Sequence, residues 1–305
     1  MGDVIHALPA VASLKHSFPQ SRISWVIRTR WAPLLAGNPF VDEVIPFDRN
    51  TSGIAALWRK LRAETFDVAV DFQGLIQSAM IAAAGSAKVV GLHRSQAREG
   101  AAAWLYSTEV VTRSAHRVDQ NLELASAAGA TNLLRTFAIP QGAPEGRLPE
   151  GRFVLASPLA GWGAKQWPLK SYEELVAKLD APLVVNGAPG SAAELGSIRG
   201  AHVHLSGIDG LIDATRRAHA VIGVDSGPMH LAAALGKPGV AIFGPTDPAS
   251  HGPYGGSLRV LRAPGAETTY KRHAATHPSM AAISADAVVE ALAASLESKP
   301  TGCPA

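Results

Sequence analysis

Residues 220–247 constrain the fold of this chain more than any other segment. An apolar run ends at Asp225, which is a favourable N-cap residue, and Pro228 falls in the first turn of the helix predicted after it. Gly236 ends this helix, and a second apolar run follows shortly after it. Strand, helix and strand in this order build parallel sheets that are covered by helices. The segment therefore predicts an α/β fold.

The start of this predicted helix has the properties of an anion site. The backbone N–H groups of Asp225, Ser226 and Gly227 have no partner within the helix, and the helix dipole favours negative charge there. Each residue alone has a simpler explanation, with Asp225 as a plain N-cap and His230 as a surface or core histidine. Together with the Gly-Pro-Thr-Asp loop after the next strand, they favour a site for a nucleotide-type ligand at one sheet edge.

Strands and helices alternate along the whole chain. Predicted strands lie at 23–28, 44–47, 67–71, 88–92, 153–157, 182–186, 203–205, 220–224 and 240–243. Predicted helices lie at 9–17, 31–36, 53–64, 75–84, 171–179, 192–198, 210–217, 228–235 and 285–296. Such alternation predicts parallel sheets, and the Pro/Gly-rich stretch 140–151 predicts a linker. We expect two facing doubly wound, Rossmann-like domains with a central cleft, at 1–145 and 146–297, and a frayed tail at 298–305.

Composition argues against several classes of protein. No apolar run reaches the roughly 18–20 residues of a membrane span, and no signal peptide is recognisable, so we expect a cytoplasmic protein. The single cysteine, Cys303, provides neither a disulfide nor a thiolate metal cluster. Because the net charge is only +3 and no block of Lys and Arg occurs, nucleic acid is not an expected partner.

A small basic cluster lies in the first half of the chain. It consists of Arg94, Arg98, Arg113 and Arg117, with His93 and His116 among them. The cluster is either a solvated loop or a surface that binds an anionic acceptor.

The absence of some sequence motifs narrows the chemistry. No Gly-x-Gly-x-x-Gly follows a strand, and neither a P-loop, an Asp-x-Asp pair nor a His-Glu-x-x-His motif occurs. A leaving phosphate then has to be neutralised by protein groups. Lys165 lies in a Gly- and Trp-rich loop after a predicted strand, where glycine permits close approach of the backbone. It is either a solvated loop lysine or the cation that faces such a phosphate.

Asp3, at the start of the sequence, is a third candidate. It either caps the helix predicted after it or takes a proton from an acceptor hydroxyl as a general base. No strand precedes Asp3, although a domain of alternating strands and helices is expected to begin with one. We therefore expect the first domain to lack its first strand, with a start codon assigned too late as the explanation.

Four motifs of this sequence resemble glycosyltransferase family 9, the ADP-heptose:lipopolysaccharide heptosyltransferases. They are GDVIHALP at 2–9, DFQGLIQSA at 71–79, GVDSGPMHL at 223–231 and FGPTDP at 243–248, and the similarity extends over nearly the whole chain. The second motif and the segment 91–99 look like the type I members, which add the first heptose to Kdo on lipid A. The resemblance implies a GT-B fold and metal-independent transfer with inversion.

The resemblance also implies roles for the matching positions. Asp3 matches the proposed general base, and Lys165 matches a lysine that contacts the donor diphosphate and sugar. The donor-binding positions are Ser157, Asp225, Ser226, Gly227 and His230. Pro158 departs from a common Thr-Thr pair, and only Glu194 offers an acidic residue for the adenosine side, at a loose spacing.

The resemblance thus implies an enzyme that transfers heptose from ADP-L-glycero-D-manno-heptose to Kdo-bearing lipid A in lipopolysaccharide core biosynthesis. Its acceptor-binding arginines are expected to be Arg94, Arg98 and Arg117, and it is expected to contact the cytoplasmic face of the inner membrane peripherally. No metal or other cofactor is expected. Three alternatives remain at this point: another family 9 transferase, a nucleotide-sugar epimerase and a non-catalytic nucleotide-binding protein.

Overall fold

The computed structural model describes residues 1–86, 88–271 and 273–297. The chain divides into two compact units, one of residues 3–140 and one of residues 141–305 together with Met1 and Gly2. The predicted frayed tail, with Cys303, lies outside the described residues. No described helix combines the length and the apolar character that a membrane crossing requires.

The N-terminal unit has five described strands in two separate parallel sheets. They are β1 (Ser24–Arg28) and β2 (Glu43–Phe47) in one sheet, and β3 (Ala69–Asp71), β4 (Val89–Leu92) and β5 (Thr108–Val110) in the other. The helices are α1 (Gly2–Ser17), α2 (Thr51–Ala63), α3 (Ile76–Ala83) and α4 (Arg117–Ala127), with 3₁₀ helices at Thr29–Leu35 and Gly100–Leu105. The sequence did not predict β5 or α4.

The first helix begins earlier than the sequence predicted. It starts at Gly2 rather than at Pro9, so that Pro9 lies inside it and Asp3 lies in its first turn. Asp3 is therefore not the residue that precedes the helix as a cap, which corrects one of the two interpretations. An internal proline removes a helix hydrogen bond. The helix tolerates this loss because residues 4–13 are all buried, so that packing outweighs the local preference.

The C-terminal unit contains one parallel sheet of six strands. They are β6 (Val154–Ser157), β7 (Leu183–Gly187), β8 (His202–Leu205), β9 (Ala220–Val224), β10 (Gly239–Phe243) and β11 (Leu258–Arg262), in the order β11-β10-β9-β6-β7-β8. The helices are α5 (Leu169–Val176), α6 (Ala192–Gly196), α7 (Ile208–Arg217), α8 (Gly227–Ala234), α9 (Pro248–His251), α10 (Pro278–Ala281) and α11 (Ala285–Glu297). The sequence predicted every one of these strands except β11.

Helices cover both faces of this sheet because its central strands are apolar on both sides. Along β6, Val154 and Ala156 belong to one buried cluster, and Leu155 belongs to the other. The first cluster includes residues of α5 and α11, and the second includes residues of α7 and α8. Side chains that alternate between two covered faces give a doubly wound sheet.

Candidate active site

The loops after β6 and β9 meet at one point of the C-terminal sheet. These strands are neighbours, and Ser157 at the end of β6 pairs with Gly223 of β9. From β6 the chain first runs outward through β7 and β8 and then returns to β9 on the other side. In open α/β sheets, ligands bind outside the carboxyl ends of the strands where the strand order reverses in this way. Both predicted donor segments therefore lie at the expected position.

Lys165 and the buried Asp225 form a largely solvent-shielded ion pair at this position. The Lys165 Nζ donates a hydrogen bond of 2.6 Å to Oδ2 of Asp225. The two side chains are only 16% and 7% exposed. The Nζ also lies 4.4 Å from the centroid of the Trp162 ring, within the range of a cation–π contact. Lys165 is therefore not the freely solvated loop lysine that the sequence left open.

His230 lies on the other side of the same carboxylate. Its Nε2 is 3.8 Å from Oδ1 of Asp225, which is beyond hydrogen-bond distance. The imidazole is buried in the first turns of α8. The carboxylate of Asp225 therefore has a lysine at one oxygen and a histidine near the other.

The structure corrects the assignment of the helix cap. Ser226, not Asp225, is the N-cap of α8, and its side chain makes no capping hydrogen bond. Asp225 precedes this cap residue, and its carboxylate accepts from Lys165. Within the described part of the chain, the buried Oγ of Ser226 has no hydrogen-bond partner. The start of α8 therefore presents a buried hydroxyl beside its first N–H groups, which are suitable donors for a phosphate.

A segment that the sequence did not connect with the site supports the Lys165 loop. The Ala164 N–H donates to the His273 carbonyl at 3.0 Å. A side chain at Gly163 would overlap the backbone of Ala274, so this close approach requires glycine. The buried Trp167 anchors the other end of the loop, because its Nε1 donates to the Ile283 carbonyl at 2.9 Å. No sequence signal indicated these contacts, which join residues far apart in the chain.

A second buried hydroxyl belongs to Thr246, in the loop after β10. This side chain is buried, and its Oγ1 has no partner among the described residues. Strand β10 pairs with β9, so the loop lies at the same edge of the sheet as Ser226. This loop was predicted from the sequence to lie near the ligand, but no role was predicted for Thr246.

In the N-terminal unit, Asp3 pairs with Arg98. The guanidinium donates two hydrogen bonds, of 2.6 Å to Oδ1 and 3.1 Å to Oδ2. Burial acts to raise the pKa of Asp3, but the charge and hydrogen bonds of Arg98, together with the charges of the N-terminal amine and His6, outweigh it, and the net pKa is lowered. The carboxyl is therefore ionised at neutral pH, as a general base has to be. The sequence listed both residues but did not predict that they contact each other.

The other two predicted acceptor-binding arginines lie in different settings. Arg94 pairs with Glu109 at 2.7 Å and remains largely exposed. Arg117 is the first residue of α4, and it is half-buried. The predicted basic cluster is thus partly neutralised by carboxylates that the sequence analysis did not connect with it.

The N-terminal unit also contains a polar group that the sequence missed. The buried carboxylate of Asp71, at the end of β3, accepts from Tyr106 Oη at 2.7 Å and from Ser78 Oγ at 2.9 Å. Burial, together with the Asp71 charge, raises the pKa of Tyr106, so the phenol remains a donor. A carboxylate as the last residue of a mostly apolar strand was the signal that could have indicated this group.

Comparison with known proteins adds independent information. Residues 54–279 match the family described as Glycosyltransferase family 9 (heptosyltransferase). Lipopolysaccharide heptosyltransferase 1 of Escherichia coli O18:K1:H7 is 28% identical over 294 residues, covering 88% of this chain and 90% of that protein. The enzyme of the same name from Pseudomonas aeruginosa is 29% identical over 293 residues, covering 84% and 79%.

A solved structure agrees with these relatives. The structure of E. coli heptosyltransferase WaaC with ADP has a TM-score of 0.78 and 25% identity, over 97% of each chain. This likeness confirms the predicted GT-B fold class, and the chain is a glycosyltransferase of that class. More particularly, it belongs to glycosyltransferase family 9, since the family match spans more than half of its residues.

Proposed function

We propose that this chain transfers heptose from ADP-L-glycero-D-manno-heptose to Kdo-bearing lipid A, with inversion and without a metal ion. The observation that carries the proposal is the buried Lys165–Asp225 pair with His230, placed where the strand order of the C-terminal sheet reverses. The curated relatives named as lipopolysaccharide heptosyltransferase 1 support the choice of sugar and acceptor.

The donor half of the proposed site is assembled from one unit. A diphosphate placed at the start of α8 would accept hydrogen bonds from the first N–H groups of the helix, from the Ser226 hydroxyl and from the Lys165 ammonium. The Ser157 hydroxyl is buried at the adjacent strand end. Asp225, which pairs with Lys165, and the nearby His230 are proposed to contact the same donor. Charge that develops on the leaving ADP is stabilised by groups already in place, which is the most effective electrostatic arrangement for catalysis.

Asp3 is the proposed general base. As the acceptor hydroxyl oxygen forms its bond to the anomeric carbon, its proton passes to the Asp3 carboxylate. The bond from that carbon to the diphosphate oxygen breaks, and ADP leaves with the electron pair. Attack from the face opposite to ADP inverts the anomeric centre. Arg98 keeps Asp3 ionised before the transfer, since it lowers the pKa of this carboxyl.

Arg94, Arg98 and Arg117 are proposed to bind the anionic groups of the acceptor. A guanidinium has five N–H donors, and Arg98 uses two of them on Asp3. The remaining donors can contact a carboxylate or phosphate without breaking the pair. Because the acceptor is a lipid, we also propose that the protein works in the cytoplasm, in peripheral contact with the inner membrane.

The direct test is release of ADP from ADP-heptose, with and without Kdo-bearing lipid A, together with mass spectrometry of the lipid. The proposal predicts acceptor-dependent release and a lipid heavier by one heptose. Conversion of the donor without lipid would instead indicate an epimerase. ADP binding without turnover would indicate a non-catalytic protein, and preference for an acceptor that already bears heptose would indicate a later transferase.

Chelation tests the metal-independent part of the proposal. We expect turnover in excess EDTA to equal turnover without it, because Lys165 and the helix amides supply the positive charge opposite the diphosphate. If EDTA lowered turnover and added Mg²⁺ restored it, this part of the proposal would be contradicted, and the choice of substrates would be unaffected.

A further inference from the structure

Three arginines gather at the carboxyl ends of β1 and β2. Arg28 is the last residue of β1, and it pairs in register with Phe47, the last residue of β2. Arg30 follows in the 3₁₀ helix after β1, and Arg49 follows β2. Carboxyl ends of parallel strands are where α/β sheets bind their ligands. None of these three residues belongs to the basic cluster that the sequence predicted.

The three side chains line a cavity of about 220 Å³. Its other lining residues are Phe47 and Asp48. The lining therefore carries three guanidinium groups and one carboxylate, and the excess positive charge faces an open space. The neighbouring cavity shares Phe47 and Asp48 but adds no free cation, because Lys60 is paired with Glu43 and Glu64.

Four other arginines of the same unit are paired with carboxylates. Such pairs occur for Arg22, Arg94, Arg98 and Arg135, with Glu43, Glu109, Asp3 and Asp119 as partners. Within residues 1–86, 88–271 and 273–297, no side-chain hydrogen bond or ion pair joins Arg28, Arg30 or Arg49 to an acid; Arg30 instead stacks over Trp31 at 4.6 Å. Burial, followed by the charges of Arg49 and Arg30, lowers the pKa of Arg28, and the charge of Asp48 opposes this shift without cancelling it. These arginines repel each other, and an anion would relieve that repulsion.

We propose that the pocket of Arg28, Arg30 and Arg49 binds a phosphate group. Planar guanidinium groups donate pairs of parallel hydrogen bonds to phosphate oxygens, and three of them around one cavity match the oxygens of a tetrahedral anion. The phosphate is either carried by the glycolipid acceptor or free in solution. Phosphate binding itself does not depend on the transferase reaction; its assignment to the acceptor rests on the proposed function.

The first experiment titrates the full chain with inorganic phosphate while ADP is present to fill the donor site. The Nε–H signals of the arginine side chains are followed by NMR and assigned with single Gln variants. We expect saturable shifts for Arg28, Arg30 and Arg49, and affinity about tenfold weaker in Arg49→Gln. The matched control is Arg59→Gln, an exposed arginine of α2 outside the pocket, which should retain wild-type affinity.

Shifts that do not saturate, or that are equal for Arg59 and the pocket arginines, would overturn the proposal. The Arg49→Gln protein is checked by its thermal transition, and Arg49→Lys keeps the charge while removing the bidentate geometry. A folded Arg49→Gln protein that binds phosphate as tightly as wild type would also overturn it.

The second experiment finds the source of the phosphate. If the acceptor carries it, Arg49→Gln raises KM about tenfold for the phosphorylated acceptor, and this difference disappears for the dephosphorylated one. If the phosphate is free, both acceptors respond equally to the variant. Saturable phosphate binding in a protein that shows no transfer would retain the pocket and reject the proposed function, so the two failures are distinct.

Discussion

The two units of this chain hold the ion pairs of the proposed site in different surroundings. In the C-terminal unit, Lys165 and Asp225 are 16% and 7% exposed, while in the N-terminal unit Asp3 and Arg98 are 37% and 38% exposed. A buried pair is held in a fixed arrangement, and loss of one partner leaves an uncompensated charge. An exposed pair contributes little to stability but still shifts a pKa. We infer that the first pair is suited to hold a donor and the second to tune a base.

The sheets of the two units also differ, with the larger and better covered sheet in the C-terminal unit. Six strands form one sheet with two covered faces in the C-terminal unit, whereas five described strands of the N-terminal unit form two smaller sheets. The larger apolar clusters accordingly lie in the C-terminal unit. A large sheet that is covered on both faces holds a binding site more rigidly than a small sheet does. Such rigidity suits a site that has to stabilise developing charge.

Removal of the proposed base should have the largest effect on catalysis. Asp3→Asn should lower kcat by about 10²–10⁴, since it removes the proton acceptor, while affinity for ADP stays unchanged. Steady-state kinetics and calorimetric titration with ADP measure the two quantities. Asp67→Asn removes an exposed acid of the same unit and serves as the control. If Asp3→Asn retains turnover within a few-fold of wild type, the comparison of a donor unit with a base-carrying unit fails.

Removal of the buried lysine should be next in size. Lys165→Ala should lower kcat/KM by about 10²–10³, because a charge opposite the leaving diphosphate is lost. It should also destabilise the fold by about 3–5 kcal/mol, since Asp225 remains buried without its partner. Denaturant unfolding and ADP release measure these effects, with exposed Lys170→Ala as the control.

The double variant Lys165→Ala/Asp225→Asn separates the two consequences. We expect it to recover most of the lost stability, because the uncompensated charge is gone, but none of the activity. Recovery of activity together with stability would show that Lys165 acts only in folding.

Matched core truncations test the difference between the sheets. Leu155→Ala, in the sheet of the C-terminal unit, should cost about 3–5 kcal/mol, and Leu57→Ala, on α2, about 2–3 kcal/mol. The larger cluster leaves a more rigid cavity around the missing side chain. Urea unfolding followed by fluorescence and circular dichroism gives both values. Equal costs, or a larger cost for Leu57→Ala, would contradict the ranking.

The smallest expected effect concerns the exposed pair. Arg98 lowers the pKa of Asp3, so Arg98→Gln should move the acid limb of the kcat/KM profile to higher pH. The same shift affects the stability of the fold. A carboxyl whose pKa is lower in the folded protein than in the unfolded chain stabilises the fold at pH values above the unfolded pKa. This contribution is lost as the pH falls through the folded pKa. Arg94→Gln, which removes the partner of Glu109, should leave the acid limb in place. An unmoved limb in Arg98→Gln would separate Arg98 from the base.

Local patterns were sufficient for much of the fold. The apolar runs that became β6, β9 and β10 are followed at once by Pro158, Asp225 and Gly244, and their predicted ends agree with the structure within one residue. In contrast, β5 has three residues and α4 begins among charged residues, so neither carries a clear periodic signal. Pro9 was taken as a helix start because local preference ignores the packing that holds residues 4–13.

Some features of the candidate site were likewise predictable from local sequence, and others were not. The residue types of the donor segments, and their place after strands, followed from sequence because a turn between strand and helix is a local feature. The partners of the charged side chains did not. Local rules predict Asp225 as a helix cap, but its carboxylate forms an ion pair with Lys165, which is distant in sequence. Asp3 meets Arg98 across a similarly long separation.

The sequence by itself determined the α/β class, the segments that approach a nucleotide-type ligand and the family to which the chain belongs. These depend on periodicity, on turn residues and on short motifs, each of which acts within a few neighbouring residues. Only the tertiary structure decided which charges form ion pairs and which, like Arg28, Arg30 and Arg49, have no acid within ion-pair distance among the described residues. The reason is that a Coulomb interaction depends on distance in space, and folding sets that distance through packing that no local pattern encodes.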